Sequence, residues 1–222
     1  MARETLSERF LRENAAVFEA MVSHRFTTDI ERGLLPAEAF DRYLVYEGAF
    51  VDTAISIFAL ATAKAGTIKQ KRWLIGVLDA LANRQVAYFE RTFAQRGIKP
   101  ERFDLAEPRV EAFRAGMLEI AEKGSFLDIA AAMFAAEWMY WTWSRRVAAA
   151  PIADPLLREW VAMHADDAFA AQARWLRDQI DAADGGLDEA TRARLSGVFG
   201  RVQELEIAFH EAAYGPVGEA AA

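Results

Sequence analysis

The chain of 222 residues contains no cysteine. That excludes a disulfide scaffold, a thiolate-bound zinc or iron–sulfur centre, and any enzyme with a cysteine nucleophile. Basic residues are also in deficit: 26 Lys and Arg face 33 Asp and Glu, a formal charge of −7. A nucleic-acid footprint needs a basic face, so no nucleic-acid partner is expected. Long apolar runs are missing. A spanning helix takes about 20 predominantly apolar residues. The longest candidate, Ile129 to Ser144, is interrupted by Glu137 and reads as a buried core helix. Residues 1–9 contain no apolar stretch of the kind found in a signal peptide. A soluble, cytoplasmic protein without a membrane partner is the expectation. At 53% hydrophobic residues, the chain is too apolar to be disordered.

The sparse prolines and glycines act as helix punctuation. Pro36 opens a long helix to about Ala65, and Gly66-Thr67 starts another that stops at Gly97-Ile98-Lys99-Pro100. Ser125-Phe-Leu-Asp128 follows Gly124 in the pattern of a capping box, with Asp in place of Glu. Asp154-Pro155 is an N-cap followed by a proline at the first helical position. Gly185-Gly186 separates the last two long helices. With shorter helices near residues 3–22, 23–32 and 107–123, this predicts about eight helices and no period-two strand. The linkers are only a few residues long, which predicts one all-α domain over residues 1–222, fraying from about 215 in an alanine-rich tail.

Candidate functional residues are the polar groups standing where a helix should present a hydrophobe. Glu47 interrupts the stripe Phe40, Tyr43, Leu44, Phe50, Val51, Ala54, Ile55 and Phe58. Glu137 interrupts Phe126, Ile129, Met133 and Tyr140. His164 falls on the stripe Leu157, Trp160, Val161, Ala168, Ala171 and Trp175, read as one helical face. Glu206 falls among Leu195, Val198, Phe199, Val202 and Phe209. One buried carboxylate capped by a neighbour is ordinary, whereas four ionisable groups on four helices point to a pocket in a helical bundle. Phe50, Trp138, Tyr140 and Trp143 have flat rings suited to stacking on a heterocycle, although aromatics at this spacing also build plain core.

Two chemistries suit such a set. A di-metal centre needs Glu plus Glu-x-x-His pairs. The sequence offers only Glu206 and His210, four residues apart, and His210 reads as a partly exposed end-of-helix histidine. No metal and no cofactor are therefore expected. The other chemistry is recognition of a neutral, nitrogen-rich ring by one carboxylate, with proton transfer by another.

Several motifs then match a known family. His24-Arg-Phe26, Gly33-Leu-Leu-Pro36 and Phe40-Asp-Arg-Tyr43-Leu-Val-Tyr-Glu47 resemble the opening of the TenA family, the thiaminase II-like proteins of the haem-oxygenase-like fold. That family reads His-Pro-Phe, Gly-x-Leu-Pro and Phe-x-x-Tyr-x-x-Gln-Asp. The similarity resumes at Gly124-Ser-Phe-Leu-Asp-Ile-Ala-Ala-Ala, at Glu137-Trp-Met-Tyr140, at Trp160 and at Glu206-Ile-Ala-Phe-His-Glu-Ala-Ala-Tyr214. The resemblance implies an all-α bundle with a pocket for an aminopyrimidine, hydrolysis of thiamin-related pyrimidines in thiamin salvage, and a homo-oligomer, tetramer or dimer. It implies that Glu47, in place of the family's Asp, and Phe50 bind the pyrimidine. Tyr140, Trp138 and His164 line the pocket, His164 standing where the family has Tyr. Glu206 is the implied catalytic acid. The family's cysteine falls on Ala135 or Ala136, beside Glu137, and a thiolate mechanism is impossible here. Water activated by Glu137 or Glu206 is the chemistry left. Two other functions compete: a binding or regulatory protein that has lost hydrolase activity, and a di-metal or cofactor oxidase of the same fold.

Overall fold

A computed structural model describes residues 4–215, and among them there are α-helices, short 3-10 turns and one π-helical segment, with no strand. The helices are α1 (Leu6–Glu13), α2 (Ala15–Val22), α3 (Arg25–Arg32), α4 (Ala37–Lys64), α5 (Ile68–Asp79), α6 (Val86–Arg96), α7 (Pro108–Lys123), α8 (Phe126–Val147), α9 (Pro155–Ala165), α10 (Asp167–Ala183) and α11 (Glu189–Ala212). Each of the eight spans expected from the sequence is helical, and three of them are interrupted. The first breaks at Asn14, which is both the C-cap of α1 and the N-cap of α2. The span from 66 to 97 winds into a π-helix over Ala80–Gln85. The span after Pro155 breaks at Asp166, whose side chain accepts from the Phe169 amide and caps α10. The alanine-rich end expected to fray lies, past Gly215, outside the described residues.

Several helix ends carry the caps their residues favour, while Pro36 is the N-cap of α4 and not its first helical residue. Thr67 and Gln70 form a capping box at the start of α5. Asp154 caps α9 with Pro155 at the first helical position. Gly33 and Gly97 end α3 and α6 in the left-handed region, at φ 68° and 67°, where glycine has no steric cost.

The chain divides into two compact units, residues 1–34 with 127–207, and residues 35–126 with 208–222. In the first, α8 carries an almost continuous buried surface from Asp128 to Ala136. Asp128 pairs with Arg194, the Phe134 ring lies 5.5 Å from Phe199, and Gln203 Nε2 donates to the Ala135 carbonyl at 2.7 Å. Those three contacts ascend both helices together, so α8 and α11 run parallel. The same unit ties α1 to α10 through Ser7, whose amide and hydroxyl both donate to Asp181 at 2.8 and 2.9 Å. Asn14 Nδ2 donates to Phe10 O, Ser196 O and Ser196 Oγ, and a Cβ at Gly200 would stand 2.2 Å from Asn14 Oδ1.

In the second unit α4 buries Phe40, Tyr43, Leu44, Glu47, Val51, Ala54 and Phe58, the stripe expected from the sequence apart from the half-buried Phe50 and Ile55. Gly48 lets α4 approach α6: a Cβ there would meet Phe93 at 3.0 Å and Phe89 at 3.2 Å. Lys64 Nζ donates to the carbonyls of Ala121, Glu122 and Gly124 at the end of α7. By length and composition α4 is the one helix among the described residues that could cross a membrane, and half of its apolar stretch is buried in the protein.

Candidate active site

Four ionisable groups singled out by the stripe pattern are buried: Glu47, Glu137, His164 and Glu206. Glu137, His164 and Glu206 belong to the first unit, together with Tyr140 and Trp138. Glu47 and Phe50 belong to the second.

Glu137 is weakly compensated. Oε1 accepts from Gln172 Nε2 across 3.4 Å, at the long edge of a hydrogen bond, and Oε2 has no partner among the described residues. Burial pushes its carboxyl up to about 8, against a small opposing effect of the Gln172 bond. The side chain therefore carries a proton at neutral pH and can donate it. Ala135 and Gln203 are level across α8 and α11. Glu137 is two residues beyond the first and Glu206 three beyond the second. At ~1.5 Å rise per residue, the two carboxyl groups start from nearly the same height on neighbouring helices.

His164 lies in an aromatic box. Its ring is 4.1 Å from Trp160, 4.8 Å from Phe169 and 5.1 Å from Tyr140, measured between centroids. Nδ1–H donates to the Trp160 carbonyl at 2.8 Å, which fixes the tautomer and makes Nε2 an acceptor. Burial pulls the imidazole down to about 4, so it is neutral at physiological pH. Trp138 lies apart from this box. Its ring packs on Phe134 and Trp141 and beneath the guanidinium of Arg177.

In the second unit Phe50, Phe113 and Phe209 form a continuous aromatic slab, with centroid separations of 4.5 and 4.6 Å. The slab borders a cavity of about 410 Å³ whose rim carries Tyr46, Asp52, Thr53 and the Glu111–Arg114 ion pair. Phe113 and Phe209 were not among the expected site residues, because aromatics at helical spacing look like ordinary core.

Two expectations need correction. His210 is fully buried, with its ring 5.5 Å from Tyr43 and 5.8 Å from Phe209. It sits in the last turn of α11, but that turn is packed inside its unit. The face predicted beyond His164 also shifts. α10 buries Ala170, Ala173, Leu176 and Ile180 in place of Ala168, Ala171 and Trp175, because the break at Asp166 resets the helical phase. Among the described residues no three His, Asp or Glu side chains gather as a metal site would require.

The sequence profile of the TENA/THI-4/PQQC family matches residues 13–215. The chain belongs to this family. A curated relative from Halalkalibacterium halodurans, named aminopyrimidine aminohydrolase, is 29% identical over 203 residues, spanning 89% of this chain and 90% of its own. A protein of the same name from Helicobacter pylori is 22% identical over 211 residues, 93% of this chain and 97% of its own. The solved structure of a TenA homologue from Pyrococcus furiosus superposes with a TM-score of 0.86 at 21% identity, covering 94% of this chain and 100% of that one. The fold is therefore the TenA fold, an all-α architecture.

Proposed function

We propose that this protein hydrolyses an aminopyrimidine of the thiamin-salvage type, an aminomethyl- or formylaminomethyl-pyrimidine, with water as the nucleophile. The observation that carries the reading is that two buried carboxyls, Glu137 and Glu206, start from nearly the same height on α8 and α11 in a chain without cysteine. Burial makes Glu137 the acid. The names of the curated relatives support the substrate class.

In this scheme Glu206 takes a proton from water as its oxygen attacks the exocyclic carbon. The C–N bond breaks toward nitrogen, and Glu137 protonates the departing amine. The products are the hydroxymethyl pyrimidine and ammonia, or formamide when the substrate amine is formylated. The proton on Glu206 returns to Glu137 through solvent before the next turnover. The family resemblance is what assigns Glu47 to the amidine-like edge of the ring and Phe50 to its face. Tyr140 and His164 act as pocket walls, His164 as a neutral acceptor. Trp138 keeps a packing role. Incubating the protein with the aminomethyl pyrimidine and measuring ammonia release, and with the formylaminomethyl pyrimidine and measuring formamide release, tests the reading. Release from neither removes it.

The scheme uses no metal or cofactor and no nucleic-acid partner, and the protein works in the cytoplasm. We also propose self-association as a dimer or tetramer through α5, which buries only Leu74 and exposes Ile68, Trp73 and Ile75. Light scattering on the purified protein decides this: a monomer at micromolar concentration contradicts it.

A further inference from the structure

Gln203 lies one turn before Glu206 on α11 and is completely buried. Its Nε2 donates to the Ala135 carbonyl at 2.7 Å. That bond fixes the amide, since a flipped side chain would set Oε1 against a carbonyl oxygen. Oε1 is then an oriented acceptor, and it has no partner among the described residues. A second buried polar group of the same helix is satisfied within the protein. Ser196, two turns earlier on the same helix, donates to Glu13 at 2.7 Å and accepts from Asn14 at 3.1 Å. A buried acceptor without a protein donor is uncommon in a core, and a bound water is the smallest donor that satisfies it.

We infer that Gln203 is the positioning residue for the attacking water. Residues three apart on a helix project from the same side, so Gln203 and Glu206 present two acceptors to one region. A water molecule has two O–H groups. With one donated to Gln203 Oε1 and the other to Glu206, its lone pair is aimed outward at the substrate carbon. The small side chains of Ala135 and Ala136 face the same level of α8. No thiol stands there to attack, so the nucleophile itself must be held. Gln203 transfers no proton. It fixes the direction from which the oxygen reaches carbon, while Glu206 removes the proton. This rests on the aminopyrimidine reading above.

The test uses the full-length chain and the aminomethyl pyrimidine. Q203L is expected to lower kcat roughly 10- to 100-fold, the cost of a misdirected reactant. Its Kd for the matching methyl pyrimidine, which has no oxygen or nitrogen on the exocyclic carbon, should stay within about twofold of wild type by calorimetry, because the ring contacts do not use the held water. Q203E supplies the readout that a purely structural tie would not move. While protonated, its carboxyl donates to Ala135 O and still presents an acceptor. Turnover should therefore recover at low pH and fall as that carboxyl ionises, a limb absent from the wild-type profile. It also covers the case in which Q203L fails to fold. A Q203L enzyme with wild-type kcat, or a Q203E profile identical to wild type, overturns the inference while leaving the hydrolase reading intact. A wild-type protein that turns over no pyrimidine removes both.

Discussion

Glu137 and Gln172 meet through a single long hydrogen bond, 3.4 Å from Nε2 to Oε1, and it is the only hydrogen bond made by the Glu137 carboxyl among the described residues. A deprotonated carboxylate in that setting would be costly, so the folded protein retains the proton that the unfolded chain gives up near 4.5.

The consequence is a pH-dependent stability of defined sign. Between about 4.5 and 8 the folded state binds the Glu137 proton more tightly than the unfolded state, so stability falls as pH rises through that window. His164 acts oppositely: lowered from 6.5 to about 4, it loses stability as pH falls from 6.5. Of these two, only the Glu137 effect operates above 6.5. Wild type should lose on the order of 2 kcal/mol between pH 6.5 and 8 relative to E137Q. Urea unfolding of both proteins at the two pH values checks it, and parallel curves contradict it.

His164 should remain neutral from pH 5.5 to 8, with its proton on Nδ1. Nitrogen NMR of the three histidines distinguishes the tautomers. A His164 resonance titrating near 6.5 would contradict the buried aromatic box.

The close approach of Asn14 to Gly200 predicts that G200A destabilises the protein by about 1–3 kcal/mol, since the added methyl must displace an amide holding three bonds. Thermal unfolding measures it. Removing the obstacle as well, in N14A/G200A, should not add the two single losses.

Phe50 is half-buried at the edge of the aromatic slab. Replacing its ring in F50L should weaken pyrimidine binding about 3- to 10-fold, the worth of an aromatic contact beyond its area, with little change in unfolding temperature. Calorimetry with the hydroxymethyl pyrimidine checks this. An unchanged Kd would take Phe50 out of the site.

The parts of the candidate site legible in the sequence are the charges. Glu47, Glu137, His164 and Glu206 break apolar stripes, which marks them as candidates for burial against the alternative of a stripe edge that reaches water, and all four are buried. Gln203 escaped because a neutral amide beside Val202 reads as the edge of a stripe. Its buried position and its bond to Ala135 depend on how α8 and α11 align, which helical periodicity does not contain. Phe113 and Phe209 carry no polar signal at all. The helix ends at Gly33, Gly97 and Pro155 were legible because glycine and proline act through the backbone itself. The break at Asp166 was not, since an aspartate that caps a helix and one on a solvated helix surface have the same sequence signature. The π segment at Ala80–Gln85 contains no glycine or proline to mark it.

The most direct test of the carboxylate mechanism is E206Q, assayed with the aminomethyl pyrimidine by ammonia release and with the hydroxymethyl pyrimidine by calorimetry. Removing the base should lower kcat by about 100-fold or more, while Kd stays within a few-fold of wild type. An E206Q protein that keeps full turnover would contradict the assignment of Glu206 as the group that activates water.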